Sequence, residues 1–162
     1  MSRLDSFIRR LEAQRACLDR AAALIAALPG PVLELGLGNG RTFDHLRERL
    51  PGRAIFVFER HVAAHPDSIP ADGQIILGDL LETLPQSRSR FAATVALAHM
   101  DLATGDVAQS LRLAASVAPL LAPLMRPGAI VVSEPALAVP GWTAVELPEG
   151  VAEGRYHLYR VV

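Results

Sequence analysis

Short apolar runs alternate with segments of helical periodicity along most of this chain, and this alternation constrains the fold more than any other feature. Each run is bounded by turn-forming residues and has the length of a buried strand. Five such runs lie at 31–36, 54–59, 74–79, 91–98 and 129–133. Buried strands that alternate with helices form a parallel sheet covered on both faces. The sequence therefore predicts a layered α/β domain.

The helical segments carry apolar residues at spacings of three and four, which places them on one face of a helix. The longest spans 3–28, where Ser2 and Asp5 resemble a capping box and 29–31 (Pro-Gly-Pro) ends the helix. Further helices are predicted at about 40–50, at 80–84 and at about 106–117, the last broken up by Pro119 and Pro123.

Two further strands are predicted near the C-terminus, over 143–147 and 155–161, joined by the turn 148–150. No helix fits between them, so we expect an antiparallel hairpin at the edge of a mainly parallel sheet. With the five earlier runs the sheet has seven strands. A length of 162 residues suits one domain, 1–162, made of an N-terminal helix (1–29) and a core (30–162).

Charge and composition exclude several classes of protein. The formal charge is −1, and all 16 basic residues are arginines. A nucleic-acid surface would carry more positive charge, and chemistry that needs a lysine is excluded. One cysteine, Cys17, excludes an internal disulfide. The longest apolar runs are too short to span a membrane, and the charged N-terminus is not a secretory signal. We therefore expect a cytoplasmic protein without a membrane or nucleic-acid partner.

A glycine-rich loop, 34–40 (Glu-Leu-Gly-Leu-Gly-Asn-Gly), follows the first strand and opens the next helix. Glycines allow a sharp turn and let a ligand approach the main chain closely. The helix behind the loop offers free N–H groups. Dinucleotide-binding loops have a third glycine where this chain has Arg41. This chain instead has the spacing G-x-G-x-G, with Glu34 two residues before the first glycine, which differs from the dinucleotide-binding pattern.

Acidic residues end the next two strands. Glu59 ends the second, where a carboxylate accepts hydrogen bonds from both hydroxyls of a ribose. Asp79 follows the third, within Leu77-Gly78-Asp79-Leu80, and it is also placed to cap the next helix. Before strand five the chain reads 126–130, Arg-Pro-Gly-Ala-Ile.

Together these motifs resemble class I S-adenosylmethionine-dependent methyltransferases over about residues 31–161. The resemblance implies a three-layer, Rossmann-like α/β sandwich with the antiparallel C-terminal hairpin. It also implies that the glycines shape the methionine pocket and that Glu34 supports the loop or the amino group of the methionine. By the same resemblance, Glu59 holds the ribose, and Asp79 and the Leu80 N–H contact the adenine. The residues expected around S-adenosylmethionine are Glu34, Gly36, Gly38, Gly40, Arg41, Glu59, Arg60, Gly78, Asp79, Leu80 and His99.

The segment after strand four, 98–102 (Ala-His-Met-Asp-Leu), is where the reacting groups are expected. It resembles in part the H-x-D-x-D of macrocin-type O-methyltransferases, but Ala103 replaces the second acid. With only Asp101 and Glu134 in reach, we expect no metal. His99 and Asp101 are the candidate catalytic residues. Two readings stay open for each: a general base or a strand-end hydrogen-bond partner for His99, and a substrate contact or a helix cap for Asp101.

The sequence predicts methyl transfer to a small acceptor, through oxygen or nitrogen. Two alternatives remain at this point: a protein that binds a nucleoside without turnover, and, with less support, an NAD-dependent oxidoreductase. The first helix is either a lid over the substrate or a packing surface, and we expect a homodimer or a larger homo-oligomer.

Overall fold

One sheet of seven strands organises the protein, with five parallel strands and an antiparallel pair at one edge. The computed structural model describes residues 1–162, and the strand order is β3-β2-β1-β4-β5-β7-β6. The strands are β1 (Val32–Leu35), β2 (Ile55–Glu59), β3 (Ile75–Leu77), β4 (Val95–Met100), β5 (Met125–Ser133), β6 (Trp142–Ala144) and β7 (His157–Val161). The predicted mixed sheet with an antiparallel C-terminal pair is confirmed.

Helices cover both faces of the sheet. They are α1 (Arg3–Leu24), α2 (Arg41–Arg49), α3 (Leu80–Gln86), α4 (Arg88–Phe91) and α5 (Val107–Leu121), with 3₁₀ turns at Pro66–Ser68 and Ala122–Leu124. Helices α1 and α2 pack on one face and α3, α4 and α5 on the other. Along β1, Val32 faces α1 and α2 whereas Leu33 and Leu35 face the opposite layer. This alternation is the two-residue period of a strand, and it gives the three-layer sandwich.

Helix α1 has the capping box that its sequence predicts. The Ser2 hydroxyl accepts a hydrogen bond from the Asp5 N–H, and the Asp5 carboxylate accepts one from the Ser2 N–H. The helix ends at Leu24, earlier than the predicted residue 28. Arg53 donates hydrogen bonds to the carbonyl groups of Ile25, Leu28 and Gly30, so a side chain from another element satisfies the carbonyls that follow the helix.

Several boundaries differ from the sequence-based expectation. Strand β4 begins at Val95 rather than at residue 91, because Arg88–Phe91 form the short helix α4. Strand β5 begins at Met125, so the predicted turn 126–128 lies within the strand, next to an irregularity in its pairing with β4. Helix α5 runs through Pro119 to Leu121. The last two strands are shorter than predicted, and residues 145–156 join them.

Helix α5 is the most apolar helix of the chain. By length and composition alone, the window Val107–Leu124 is apolar enough to cross a membrane, with a mean hydropathy of 1.3. Core helices of globular proteins meet the same criterion. Ala114, Val117 and Leu121 pack against the sheet, in the core that α3 and α4 share, and Ala118 is also buried.

Candidate active site

The parallel strands bring the predicted acidic residues to one edge of the sheet. β1 lies between β2 and β4, and β3 lies beyond β2. Because these strands run in the same direction, their carboxyl ends meet at that edge, where open α/β sheets bind ligands. The acids gathered there are Glu34 of β1, Glu59 of β2, Asp79 after β3 and Asp101 after β4.

The glycine loop connects β1 to α2, and its three glycines have positive φ: +91° at Gly36, +53° at Gly38 and +86° at Gly40. A Cβ on Gly40 would lie 2.5 Å from the Cβ of Ser68, and one on Gly36 would lie 3.0 Å from the Asp101 carbonyl oxygen. A Cβ on Gly38 would meet nothing within 4 Å. Gly36 and Gly40 are therefore required by close packing, whereas Gly38 faces open space.

Glu59 holds the glycine loop in place. Its Oε2 accepts hydrogen bonds from the N–H groups of Leu37 (2.7 Å) and Gly38 (3.1 Å), and its Oε1 accepts from Arg60 (2.7 Å) and His61 (3.3 Å). Partial burial alone would raise the pKa of Glu59, but these four donors together lower it. A carboxylate has about four acceptor positions, and the four main-chain N–H groups already occupy them in Glu59.

Asp79 begins α3. It accepts a hydrogen bond from the Leu81 N–H at 2.9 Å as the N-cap, and Arg60 Nη2 lies 3.7 Å from its other oxygen. Gly78 before it has a φ of +139°, and a Cβ there would lie 2.8 Å from Thr83 Cγ2. Asp79 therefore caps α3, as the sequence predicted, and it also lines one of the cavities described next.

Three cavities open at this edge of the sheet. The first, of about 280 Å³, is lined by the glycine loop, the ends of β2 and β3 and the segment after β4. Its residues include seven of those expected around the cofactor: Gly36, Gly38, Glu59, Arg60, Gly78, Asp79 and Leu80. The second, of about 240 Å³, lies between the loop and α1 and is lined by Arg10, Gln14 and Arg41 among others.

The first two cavities adjoin, since Gly36, Gly38, Asp101 and Ala103 line both of them. The third cavity, of about 310 Å³, lies on the far side of the segment after β4 and shares Leu102 and Ala103 with the first. Ala103 therefore lines all three cavities. It stands where the H-x-D-x-D pattern of macrocin-type O-methyltransferases has its second acid.

Glu34 and His99 lie behind these cavities rather than in them. They are cross-strand neighbours on β1 and β4, and neither side chain is exposed. His99 Nδ1 is 3.0 Å from both oxygens of Glu34, and the Thr42 hydroxyl donates to the same carboxylate. Neither residue lines any of the three cavities. This placement differs from the expectation that both contact the cofactor; Gly40 also lies outside the cavities.

A chain of polar side chains continues from His99 to Asp101. His99 Nε2 lies 3.3 Å from the hydroxyl of Tyr156, which is 1% exposed. Gln14 Nε2 of α1 donates to that hydroxyl at 2.8 Å and to Asp101 Oδ2 at 2.9 Å. Burial raises the pKa of Tyr156 well above its usual range, and nearby acids raise it further. Asp101 therefore has one oxygen fixed by the first helix.

Asp101 also faces Glu134, which follows β5. Burial raises the pKa of Glu134 and the neighbouring Asp101 carboxylate adds to that effect, whereas Arg10 lowers it. Arg10 Nη1 lies 3.5 Å from Glu134 Oε1. No group of three or more His, Cys, Asp or Glu side chains is placed to hold a metal ion.

Sequence reasoning missed Gln14 and Tyr156. Neither belongs to a motif: Gln14 lies in the middle of α1, and Tyr156 lies in the irregular segment before β7. Tyr156 lies within the predicted strand 155–161, and that position does not indicate what its side chain contacts.

The architecture and the loop are those of a class I, Rossmann-like methyltransferase. A family model described as S-adenosyl-L-methionine methyltransferase matches residues 1–161. An S-adenosyl-L-methionine methyl transferase from Silicibacter pomeroyi DSS-3 is 48% identical, with a TM-score of 0.96, over 100% of this chain and 99% of that one.

More distant structures share the fold. The plantazolicin methyltransferase BpumL, crystallised with S-adenosylhomocysteine, is 13% identical with a TM-score of 0.53, over 80% of this chain and 49% of that one. The antibiotic-resistance methyltransferase Kmr is 14% identical with a TM-score of 0.54, over 91% and 92%. A comparison with curated proteins finds no match.

This chain belongs to the S-adenosyl-L-methionine methyltransferase family. It is an S-adenosylmethionine-dependent enzyme, and the predicted cofactor is confirmed. The non-catalytic and NAD-dependent alternatives lose their support. The role of each site residue stays a prediction.

Proposed function

We propose that this enzyme methylates a small-molecule acceptor through oxygen or nitrogen, and that Asp101 is the catalytic residue that borders the reacting groups. One observation carries the proposal: the first and second cavities adjoin over Gly36 and Gly38, and Asp101 lines both. A third cavity of about 310 Å³ adjoins them, which is the size of a small ligand site.

The residues present fit S-adenosylmethionine. The open space at Gly38 admits a ligand close to the main chain. In our proposal, the first cavity binds the adenosine part. Asp79 and Leu80 hold the adenine there, and Glu59 and Arg60 hold the ribose. Gly36, Gly38 and Arg41 hold the methionine part in the second. Because four N–H groups already occupy Glu59, each ribose hydroxyl would replace one of them.

S-adenosylmethionine supplies an electrophilic methyl group that is transferred by direct displacement. The protein's main task is then to align the acceptor and to remove its proton. Asp101, fixed by Gln14 and placed at the junction of the cavities, suits the alignment of the acceptor. His99 is buried with both ring nitrogens partnered, so we assign it a positioning role through Tyr156 and Gln14.

We also propose a cytoplasmic, single-domain protein that forms homo-oligomers, without a nucleic-acid partner. Exposed apolar side chains on the first two turns of α1 support association: Leu4, Phe7 and Ile8 are 66%, 43% and 45% exposed. Sedimentation equilibrium tests this point, and a single species of 17.4 kDa would exclude it.

Calorimetric titration tests the cofactor site. We expect micromolar binding of S-adenosylmethionine and S-adenosylhomocysteine and none of NADH. Glu59→Ala is expected to weaken binding at least about tenfold, a loss of 1.4 kcal/mol or more. Glu48→Ala, at an exposed position of α2, is the matched control. Unchanged affinity in Glu59→Ala would remove Glu59 from the cofactor site.

A further inference from the structure

The third cavity combines apolar walls with acidic charge. Its nine lining residues include Leu102, Val107, Leu111 and Pro135. Val107 is 78% exposed and Leu111 47% exposed, so their apolar surface is available to a ligand. The charged groups of the lining are Asp106 and Glu134, and no arginine or histidine is among them.

The two acids differ in what they already bind. Asp106 is the N-cap of α5, and its Oδ1 accepts a hydrogen bond from the Gln109 N–H at 2.9 Å. Glu134 contacts Arg10 at 3.5 Å, with both side chains about one-third exposed, and it also faces the Asp101 carboxylate. Arg10 reaches it from the second cavity. Both acids keep free acceptor positions, and Glu134 is the one that faces Asp101, which lines the first and second cavities. Glu134 is therefore the better placed of the two for a ligand that must also reach the cofactor.

We propose that the acceptor is an amine on an apolar body, bound in the third cavity with its ammonium group on Glu134. This assignment rests on the proposed function and narrows its acceptor to nitrogen. Charge complementarity carries it: a cation is attracted by a lining whose charges are all negative, whereas an anionic acceptor is repelled. The apolar walls contribute affinity for the rest of the molecule.

Glu134 would also prepare the nitrogen for reaction. An ammonium nitrogen has no free electron pair, so one N–H proton must leave first, and it passes to the Glu134 carboxylate. Burial and the facing Asp101 raise the pKa of Glu134, which makes its ionised form a stronger proton acceptor. The nitrogen pair then forms an N–C bond with the donor methyl carbon while the S–C bond breaks and its electrons remain on sulfur.

Benzylamine and benzyl alcohol test the assignment, because they match in size and differ in charge at neutral pH. The ¹⁵N-labelled protein is titrated with each, with and without S-adenosylhomocysteine, and the amide shifts of Leu102, Ala103 and Leu111 are followed. Small ligands of this size are expected to bind with dissociation constants of roughly millimolar strength. We expect benzylamine to bind at least about tenfold more tightly than the alcohol.

The Glu134→Gln variant is expected to abolish this preference while S-adenosylhomocysteine still binds, and Glu153→Gln, at an exposed position, is expected to keep it. Equal binding of the two compounds, or a preference that survives in Glu134→Gln, would overturn the amine assignment. Calorimetry with S-adenosylhomocysteine alone reports on the proposed function separately. Loss of that binding with the amine preference intact would overturn the cofactor site and leave this assignment standing.

Discussion

His99 Nδ1 lies 3.0 Å from both carboxylate oxygens of Glu34, and neither side chain is exposed. The two residues are direct neighbours on adjacent parallel strands, so the sheet itself enforces the contact. Carboxylates are rarely buried unless they are paired and hydrogen-bonded, because removing the charge from water is costly. Each member of this pair therefore depends on the other.

Replacing His99 by alanine is expected to destabilise the protein by about 3 to 5 kcal/mol, because the Glu34 charge stays buried without its partner. The Thr42 hydrogen bond alone does not compensate for this loss. Urea unfolding measures the change. The double variant Glu34→Gln/His99→Gln carries no buried charge and is expected to recover much of the loss. A cost below about 1 kcal/mol in His99→Ala would contradict the buried pair.

The same pair predicts how stability changes with pH. Burial alone would lower the pKa of His99, but Glu34 raises it more, with additional contributions from Asp101 and Glu134, so the net pKa is raised. A group whose pKa is raised in the folded state stabilises the protein fully at pH values below its unfolded-state pKa, here near 6.5. This stabilisation is lost as the pH rises through the folded-state pKa.

Wild type is therefore expected to lose unfolding free energy as pH rises above about 6.5, and His99→Gln is expected to lack this dependence. Tyr156, the other partner of the ring, stays protonated over this range because its pKa is raised. Unfolding measured at pH 6 and at pH 9 makes the comparison. Parallel pH profiles for the two proteins would show that His99 does not titrate as described.

Two glycines of the loop predict opposite outcomes for the same substitution. Gly40→Ala is expected to destabilise the fold, because its Cβ would lie 2.5 Å from Ser68 Cβ and 2.8 Å from the Ser68 carbonyl oxygen. Gly38→Ala meets no atom within 4 Å, so only its positive φ costs free energy, about 1 to 2 kcal/mol.

We expect Gly38→Ala to fold but to bind S-adenosylhomocysteine at least about tenfold more weakly, since the methyl group fills the space left for the ligand. Thermal unfolding and calorimetry on both variants separate the two effects. Wild-type affinity in a folded Gly38→Ala would mean that the ligand does not approach the loop there.

The acids at strand ends could be predicted because a short apolar run fixes where a parallel strand stops. Glu34, Glu59 and Asp79 reached the same edge of the sheet for that reason. Their orientations could not be predicted. Glu34 falls on an inward-facing position of β1, and its side chain turns into the core toward His99. Gln14 and Asp101 touch across 87 residues of sequence, a contact set by how α1 docks on the sheet.

Glu59 predicts an acid-dependent loss of stability. Its pKa is lowered by four backbone donors, so the stability it contributes is present above its ordinary value of 4.5 and is lost as pH falls through the lowered value. Unfolding free energy below pH 4.5 is therefore expected to fall less steeply in Glu59→Gln than in wild type. Glu48→Gln is the exposed control and should follow wild type.

Gln14 connects the first helix to the end of β4, because one amide nitrogen donates both to Asp101 Oδ2 and to the Tyr156 hydroxyl. Gln14→Leu keeps a side chain of similar size but leaves the buried Tyr156 hydroxyl and one Asp101 oxygen without that donor. A buried polar group without its partner costs about 1 to 3 kcal/mol, and urea unfolding of the variant should show a loss of that size.

The same substitution distinguishes a lid that only covers the site from a helix that positions Asp101. Gln14 and Asp101 both line the second cavity, where we place the methionine part of the cofactor. If Gln14 positions the carboxylate there, S-adenosylmethionine binding weakens in Gln14→Leu while the loop amides of Leu37 and Gly38, held by Glu59, keep their chemical shifts. Gln109→Leu, at an exposed position of α5, is the control for the added apolar side chain. Equal affinity in wild type and Gln14→Leu would restrict Gln14 to packing.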